Sequence, residues 1–473
     1  MSNYEFAARQ SGLAGTWLEW GMAGLAGVLG GVLFFLTPGG VTVSLLLVGV
    51  TVLLVRQDQD RRFLLLLVCS AYALRVLVIA GRDFGLTAAG LAYTLYGIPS
   101  FTYEGDHGYY TVRSLWLQEI LLGHPVTVLQ WGEVVTKYGR SAHLFVLAGY
   151  YFLFGYSPVS ATCIPAALGS LSALFAHRVA RELFSMSGGR AASLMVAFAP
   201  PLFAWSVTNL KESYLFFSVL LILHLFLRWM DGGSIWVLAP IPLLIMFMEG
   251  TRIYSGLIML GTLGFAIVFI TPRPWFRVVN VSATLSAVGA AIYLFGPMPT
   301  HVARIGLYRV ARFTLGQSHT GGFSYYLLPE KYYGSEASDA LLSGLRWVDF
   351  GMLFTKGWIY FLFAPFPWAT ASINQLVVYP WMLSWYVLLA LALIGLLLAL
   401  TSRPKPTMVL VSYVLFMGTA IAVTGGNVGT LFRHRDVVSP IVFIFSGVGV
   451  AGLLRSLATG AACPRPRMSN DHP

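Results

Sequence analysis

Polar residues punctuate this chain rather than clothe it. Apolar runs cover residues 20–37, 40–55, 63–81, 158–177, 191–209, 213–229, 235–250, 254–271, 276–296, 377–400, 407–424 and 436–456. As helices, these twelve runs are long enough to cross the roughly 30 Å hydrocarbon layer of a bilayer. Backbone in lipid has to satisfy its own hydrogen bonds, and the alternating segments of about ten residues that a transmembrane barrel requires are absent, so helices are the expected form. Two further apolar stretches, 142–156 and 351–366, are rich in aromatic residues. The first is short for an upright span, and letting it cross would move the arginine-bearing turn after residue 177 to the other face. Both are read as helices lying in the membrane interface.

Twelve spans return the two termini to one side. The short turns on that side carry Arg56, Arg61 and Arg62, then Arg178, Arg181 and Arg190, then Arg228, Arg273, Arg277, Arg403 and Lys405. With Arg9, Arg455, Arg465 and Arg467 they make up about half of the 30 basic residues. Positive charge gathered in short turns marks the cytoplasmic side, which sends the long segments 82–157 and 297–376 outward. The expected organisation has five parts. Residues 1–60 hold a cytoplasmic segment and an extra transmembrane hairpin, and 61–230 form a transmembrane module around the first outer loop. Residues 231–296 add middle helices, 297–376 form the second outer loop with amphipathic segments, and 377–473 hold the C-terminal helices and a cytoplasmic tail.

Composition then closes off alternatives. With 57% hydrophobic and 10% charged residues in 473, the chain cannot build the charged surface of a soluble domain. Its net charge of +11 is scattered between apolar runs and forms no continuous basic tract, so nucleic acid is not an expected partner. Three cysteines, Cys69, Cys163 and Cys463, define neither a disulfide framework nor a metal cluster. Glu5, Arg9 and Glu19 precede the first apolar run and no credible cleavage site follows it, so no cleavable signal is expected.

Because the cytoplasmic turns are short, chemistry is expected at the outer surface. The first outer loop contains FTYEGDHGYY, with Glu104, Asp106, His107, Tyr109 and Tyr110 ahead of or within a predicted helix over 109–122. The Asp106 carboxylate suits two roles, capping that helix or acting as a general base or metal-binding group in a cavity. Further on, WGEVVTKYGRSAH places Glu133, Lys137, Arg140 and His143 near the interface, where cations either reach lipid phosphates or hold a ligand phosphate. Lys211 and Glu212 occupy a corner between two spans, and a charge there is paired, functional or in reach of water. Glu249 and Arg252, three residues apart, are expected to pair within one helix. The corner TGGNVGTLFRHRD sets Arg433, His434 and Arg435 on the outer side, against the general charge trend, and so asks for an anionic partner. The second outer loop adds Arg304, Arg309, Arg312 and His319, and Tyr325 in SHTGGFSYYLLPEKYYG, a stretch suited to carbohydrate or headgroup contact. Arg75 interrupts a predicted span, close enough to its end to snorkel.

The order of these features resembles the bacterial polytopic glycosyltransferases of the GT-C superfamily, in the branch of the protein O-mannosyltransferases and the lipid A aminoarabinose transferase. The carriers of the resemblance are Asp106 in GDHGYY, the stretch FLFGYSPVSATCIPAALGSLSALFAHRVAREL, Glu212 in NLKES, Lys137 with Arg140 as its competitor, and GGNVGTLFRHR up to Pro440. It covers about 100–230 closely and 360–455 more loosely. The chain departs from it where His107 replaces an acidic residue, where Glu212 stands for aspartate, and in the extra N-terminal hairpin.

The resemblance implies an all-α GT-C-type helical bundle of about twelve transmembrane helices, with periplasmic interfacial helices in two long outer loops. It implies a multi-pass protein of the inner (plasma) membrane that moves a sugar from a polyprenyl-phosphate donor to a lipid, glycan or protein hydroxyl, with membrane lipids as the surroundings. Asp106 and Glu212 would be catalytic. Lys137, Arg140, Lys211, Arg433 and Arg435 would hold the donor phosphate. Glu104, His107, Tyr109, Tyr110, His143, Tyr325 and His434 would contact substrate. A cofactor is not required, and a magnesium or manganese ion held by Asp106 and Glu212 stays open. A lipid-linked oligosaccharide ligase or polymerase is the alternative, in which Arg304, Arg309 and Arg312 outweigh Asp106. A transporter, which needs charged or broken helices at mid-membrane, ranks lower.

Overall fold

The computed structural model describes residues 38–96, 106–134, 141–270, 282, 286, 308–310, 312–314, 324–329, 332, 347–366, 368 and 373–461. Among them the regular structure is helical, apart from one isolated antiparallel bridge between Ser324 and Asn427. The helices in chain order are α1 (Pro38–Val55), α2 (Arg61–Tyr96), α3 (Asp106–Leu121), α4 (Val128–Gly132), α5 (Ala142–Phe154), α6 (Pro158–Ala161), α7 (Cys163–Leu183), α8 (Met186–Phe198), α9 (Pro200–Ser206) and α10 (Glu212–Met230). They continue with α11 (Ile241–Thr251), α12 (Ser255–Phe265), α13 (Trp347–Phe363), α14 (Ile373–Ser402), α15 (Pro404–Thr424), α16 (Val428–Arg435) and α17 (Ser439–Ala461).

Among the described residues, seven helical stretches are long and apolar enough to cross a membrane: Pro38–Val55, Arg61–Arg82, Pro158–Leu183, Glu212–Met230, Tyr379–Ser402, Pro404–Thr424 and Ser439–Ala458. These coincide with seven of the twelve expected spans. The expected span 20–37 lies outside the described residues, as does 276–296 apart from residues 282 and 286. The other three do not form single long helices. Residues 191–209 are divided between α8 and α9 at Pro200 and Pro201, which lack the N–H groups that would continue the ladder. Residues 235–250 begin as a 3-10 turn, Ile235–Leu238, and become α11 only after Pro240. Residues 254–271 form α12 and a π turn, Ala266–Ile270. The stretches read as interfacial form α5, of 13 residues, and α13, of 17. At 1.5 Å per residue, α5 is roughly 20 Å long, short of the hydrocarbon thickness.

The chain divides into two compact units that interleave in sequence. The first is Met1–Leu174, Ala197–Ser218 and Met246–Gly256; the second is Phe175–Val196, Val219–Ile245 and Leu257–Pro473. In the first unit, the break between α8 and α9 is answered by α2. Pro201 cannot donate to the carbonyl of Ala197, and Arg75 does so instead at 2.8 Å. The same guanidinium donates to the Ser206 hydroxyl at 2.6 Å and to the Ala71 carbonyl at 3.0 Å, and lies 4.8 Å from the Phe203 ring. Arg75 is fully buried, so it does not snorkel. Two turns further along the same face, Arg82 donates at 2.7 Å to the carbonyl of Val207, the C-cap of α9. Gly169 makes room for this arrangement: a Cβ there would lie 2.7 Å from Ser206 Cβ and 3.4 Å from Arg75 Nε.

In the second unit, α14 and α17 approach closely enough for backbone to touch backbone. A Cβ on Gly395 would run into the Phe445 carbonyl, and one on Gly449 into that of Leu391, the small-residue contact by which helices associate without a hydrophobic drive in lipid. The ends of α7, α10 and α14 are tied together by Arg403, which pairs with Asp231 at 3.0 Å and donates to the Glu182 carbonyl at 3.3 Å. His224 Nδ1 lies 3.6 Å from the Glu182 carboxylate. Three turns expected to share one side of the membrane are therefore held at one end of this unit.

Replacing Arg75 by Met keeps an apolar stem but leaves the Ala197 carbonyl without its donor. Thermal unfolding in detergent should show a loss of about 2–3 kcal/mol. Adding Pro201→Ala restores an amide that can reach that carbonyl, and should recover part of the loss.

Candidate functional site

In the first unit, α3 carries the leading candidate residues. Asp106 is exposed in its first turn, where the unsatisfied amides of a helix start favour a negative charge. Tyr109, Tyr110 and Arg113 follow at helical spacings of three, four and seven, and therefore share its face. Arg113 is fully buried, lies 3.8 Å over the Tyr109 ring and forms an ion pair with Glu133. The Tyr109 hydroxyl donates to the same Glu133 carboxylate at 3.0 Å. This cation fastens α3 to the C-cap of α4. It was not among the sequence candidates, although one arginine inside the otherwise apolar VRSLWL run is the signal that would have found it.

Tyr110, one turn beyond Asp106, is the contact between α3, α5 and the corner before α10. Its ring meets His143 edge-on at 4.7 Å, and His143 lies 5.9 Å from Tyr214. Lys211 Nζ sits 5.9 Å from the Tyr110 ring. The Asn209 amide, beside it in sequence, is buried and donates to the Thr111 hydroxyl at 3.4 Å and to the Pro158 carbonyl at 3.3 Å. Tyr110, Leu117, Val134, Leu144, Ala148 and Leu210 form the apolar floor under these contacts. Tyr110, His143 and Lys211 are thus brought together, with Glu212 next in the chain and Asp106 about 6 Å along the α3 axis from Tyr110.

Glu212 begins α10 with no exposed surface, and Arg252 pairs with its Oε1 at 3.0 Å. The partner seen for Arg252 is thus Glu212, on another helix, which its spacing from Glu249 did not indicate. Glu249 instead accepts the backbone N–H groups of Tyr254 at 2.9 Å and Gly256 at 3.1 Å, the unsatisfied amides at the start of α12. The three-residue spacing matched a helix that in fact ends at Thr251, one residue before Arg252.

The remaining candidates fall elsewhere. Glu104, Lys137, Arg140, Arg304 and His319 lie outside the described residues, as does the side chain of His107. Arg309 and Arg312 are exposed, and Arg312 donates to the Tyr308 hydroxyl at 3.0 Å. Tyr325, Arg433, His434 and Arg435 belong to the second unit. Tyr325 is buried, stacks on Tyr360 at 4.1 Å, and donates its backbone N–H to the Gly426 carbonyl. Arg433 and His434 are half-buried near the end of α16. Arg435 is buried and caps another helix, donating to the carbonyls of Ala364 at 3.1 Å and Phe361 at 3.4 Å while its guanidinium lies 4.5 Å from the Trp385 ring. Burial pushes this guanidinium down to about 10, with Asp436 and Tyr386 opposing the shift, so it stays charged at neutral pH. Trp385 donates to the Leu362 carbonyl and Tyr386 to those of Phe363 and Pro365, so the end of α13 is capped throughout by side chains.

Among the described residues no group of three or more His, Cys, Asp or Glu side chains is placed to hold a metal ion. Asp106 and Glu212 alone would have to supply its charge, and Glu212 is already matched by Arg252. The described residues thus make an all-α chain with seven helices suited to a membrane, and a polar cluster at the start of α3 and α10. No family model and no curated protein matches the chain. Among solved structures it is similar to the Archaeoglobus fulgidus oligosaccharyltransferase in its apo form, at 16% identity and a TM-score of 0.44, covering 84% of this chain and 52% of that one. It is also similar to the archaeal oligosaccharyltransferase AglB from the same organism in complex with an inhibitory peptide and a dolichol-phosphate, at 15% identity and a TM-score of 0.43, covering 84% and 51%. The chain spans about half the length of these structures.

The geometry separates Arg435 from its neighbours. Arg435→Met should strand the carbonyls of Phe361 and Ala364 and cost about 2–3 kcal/mol in thermal unfolding. Arg433→Met should stay within about 1 kcal/mol of the parent protein.

Proposed function

We propose that the chain is a membrane glycosyltransferase of the GT-C type, moving a sugar from a polyprenyl-phosphate donor to a hydroxyl acceptor at the outer membrane surface. The observation that carries this reading is the meeting of α3 with the corner before α10. An exposed carboxylate, Asp106, stands one turn from a cluster of Tyr110, His143 and Lys211, beside the buried Glu212 and its partner Arg252. Acidic and basic groups gathered beside an apolar floor suit a donor whose tail is lipid and whose reacting end is charged.

In this mechanism Asp106 takes the acceptor hydroxyl proton as the oxygen attacks the anomeric carbon. The bond from that carbon to the phosphate oxygen breaks, and the phosphate leaves with the electron pair. Lys211, with Lys137 and Arg140 as further candidates, stabilises the charge that develops there. A phosphate leaving group needs no second carboxylate to protonate it, so one base and one displacement invert the anomeric centre, and Glu212 assists that base through hydrogen bonds. Tyr109, Tyr110 and His143 shape the floor on which the reacting groups rest. Arg433 stays a separate candidate for a phosphate contact and His434 for a substrate contact. No step is routed through a metal ion.

Asp106→Asn keeps the shape and a capping oxygen but removes the base. The purified variant should fold, bind donor and lose about 100-fold or more in transfer from a polyprenyl-phosphate sugar. Near-normal transfer, with Arg309 or Arg312 variants inactive, would favour the ligase or polymerase reading. The sidedness is checked by thiol labelling of intact cells. Cysteines introduced at Tyr103 and Gly426 should react with an impermeant reagent, and one at Gln59 should be protected.

A further inference from the structure

We propose that Arg252 is the positioning residue for Glu212, and that the corner Glu249–Gly256 is built to hold it in place. The inference deepens the transferase reading and rests on it for its kinetic consequence, but the ion pair can be tested without any activity.

Glu212 has no exposed surface, and a carboxylate in that position is tolerated only against a well-placed cation. The cation does not come from a helix. Arg252 lies in the three-residue break between α11 and α12, where an arginine would ordinarily be mobile. Here its backbone is held from both sides. The Arg252 N–H donates to the Met248 carbonyl at 2.9 Å, and the Ser255 N–H to the Arg252 carbonyl at 3.1 Å. The Ser255 hydroxyl bonds to the Met248 carbonyl at 2.7 Å. The Glu249 carboxylate closes the corner by accepting from Tyr254 and Gly256.

The closure forces Tyr254 into the left-handed region, with φ of 71°. That conformation is uncommon for a residue with a Cβ. The Tyr254 side chain is 63% exposed, so its burial does not account for the strain. What the conformation achieves is the direction of the corner, which sends Arg252 toward Glu212. The bond to Oε1 limits how the Glu212 carboxylate can rotate and so bears on its orientation. Arg252 acts on the reaction through that orientation and touches no reacting atom.

The test uses the full chain in nanodiscs, with the polyprenyl-phosphate sugar that the parent protein turns over, and thermal unfolding of the same variants in detergent. Arg252→Met should lower kcat by about 100-fold with donor KM within about threefold, and Arg252→Lys should recover most of the rate. Tyr254→Gly, which accepts the left-handed backbone, should work at the parent rate. Tyr254→Val, whose branched side chain resists it, should fall toward Arg252→Met. In an E212Q background Tyr254→Val should cost no further rate. Parent-like kcat for Arg252→Met, or equal rates for the Gly and Val variants, would overturn the proposal. In unfolding, the E212Q/R252M double variant should lose less than the two single losses added together. Additive losses would overturn it whatever the activity. If the parent protein transfers no sugar but the unfolding cycle is coupled, it is the functional reading that fails, and the ion pair stands.

Discussion

Carbonyl groups that lose their helical partner in apolar surroundings have to find another donor, and this requirement shapes most of the described fold. In the first unit, Pro200 and Pro201 break a stretch that composition alone would make one span. The break is tolerable because Arg75 and Arg82 reach the carbonyls of Ala197 and Val207. In the second unit, Arg435, Trp385 and Tyr386 serve the end of α13. Water would do this work in a soluble protein. Here long side chains from distant helices replace it, and charges buried for that purpose become fixed features around which function has to be arranged.

The candidate site shows the same economy. Two arginines, the buried Arg113 and the partly buried Arg252, each face a carboxylate from another segment, Glu133 and Glu212. The first joins the middle of α3 to the C-cap of α4, and the second joins the corner after α11 to the start of α10. The exposed carboxylate, Asp106, stands at the start of the helix that Arg113 anchors. A reacting group on a helix start inherits the rigidity of whatever holds the helix, which is the condition for placing a base to within hydrogen-bonding distance of a substrate hydroxyl.

The seven long helices were legible because uninterrupted apolar length is a local property, read without knowing any contact. The corner polar groups were legible because charge is rare in this chain. Partnership was not legible. Glu249 and Arg252 have the spacing of a helical pair, but the helix ends between them, and each bonds elsewhere. Arg435 stands in a basic triplet that reads as one anion site, yet its burial among the carbonyls of Phe361 and Ala364 depends on a helix more than 70 positions earlier. Arg75 looked able to reach water from a span end, and instead serves a proline break separated from it by more than 120 residues. Whether a charge meets water, lipid or a stranded carbonyl is decided by tertiary neighbours, which spacing does not encode.

The capping of α13 also bears on how the chain is assembled. Its donors arrive late in synthesis: Trp385 comes 23 residues after the Leu362 carbonyl it serves, and Arg435 comes 71 after that of Ala364. Until α14 and α16 have emerged, the far end of α13 has carbonyls that lipid cannot satisfy. That end is therefore expected to wait in a wet environment, at the membrane surface or in the insertion machinery, and to take its final depth only when the C-terminal helices dock. A truncation before α16 would then leave the end of α13 without the Arg435 donor that its final depth requires.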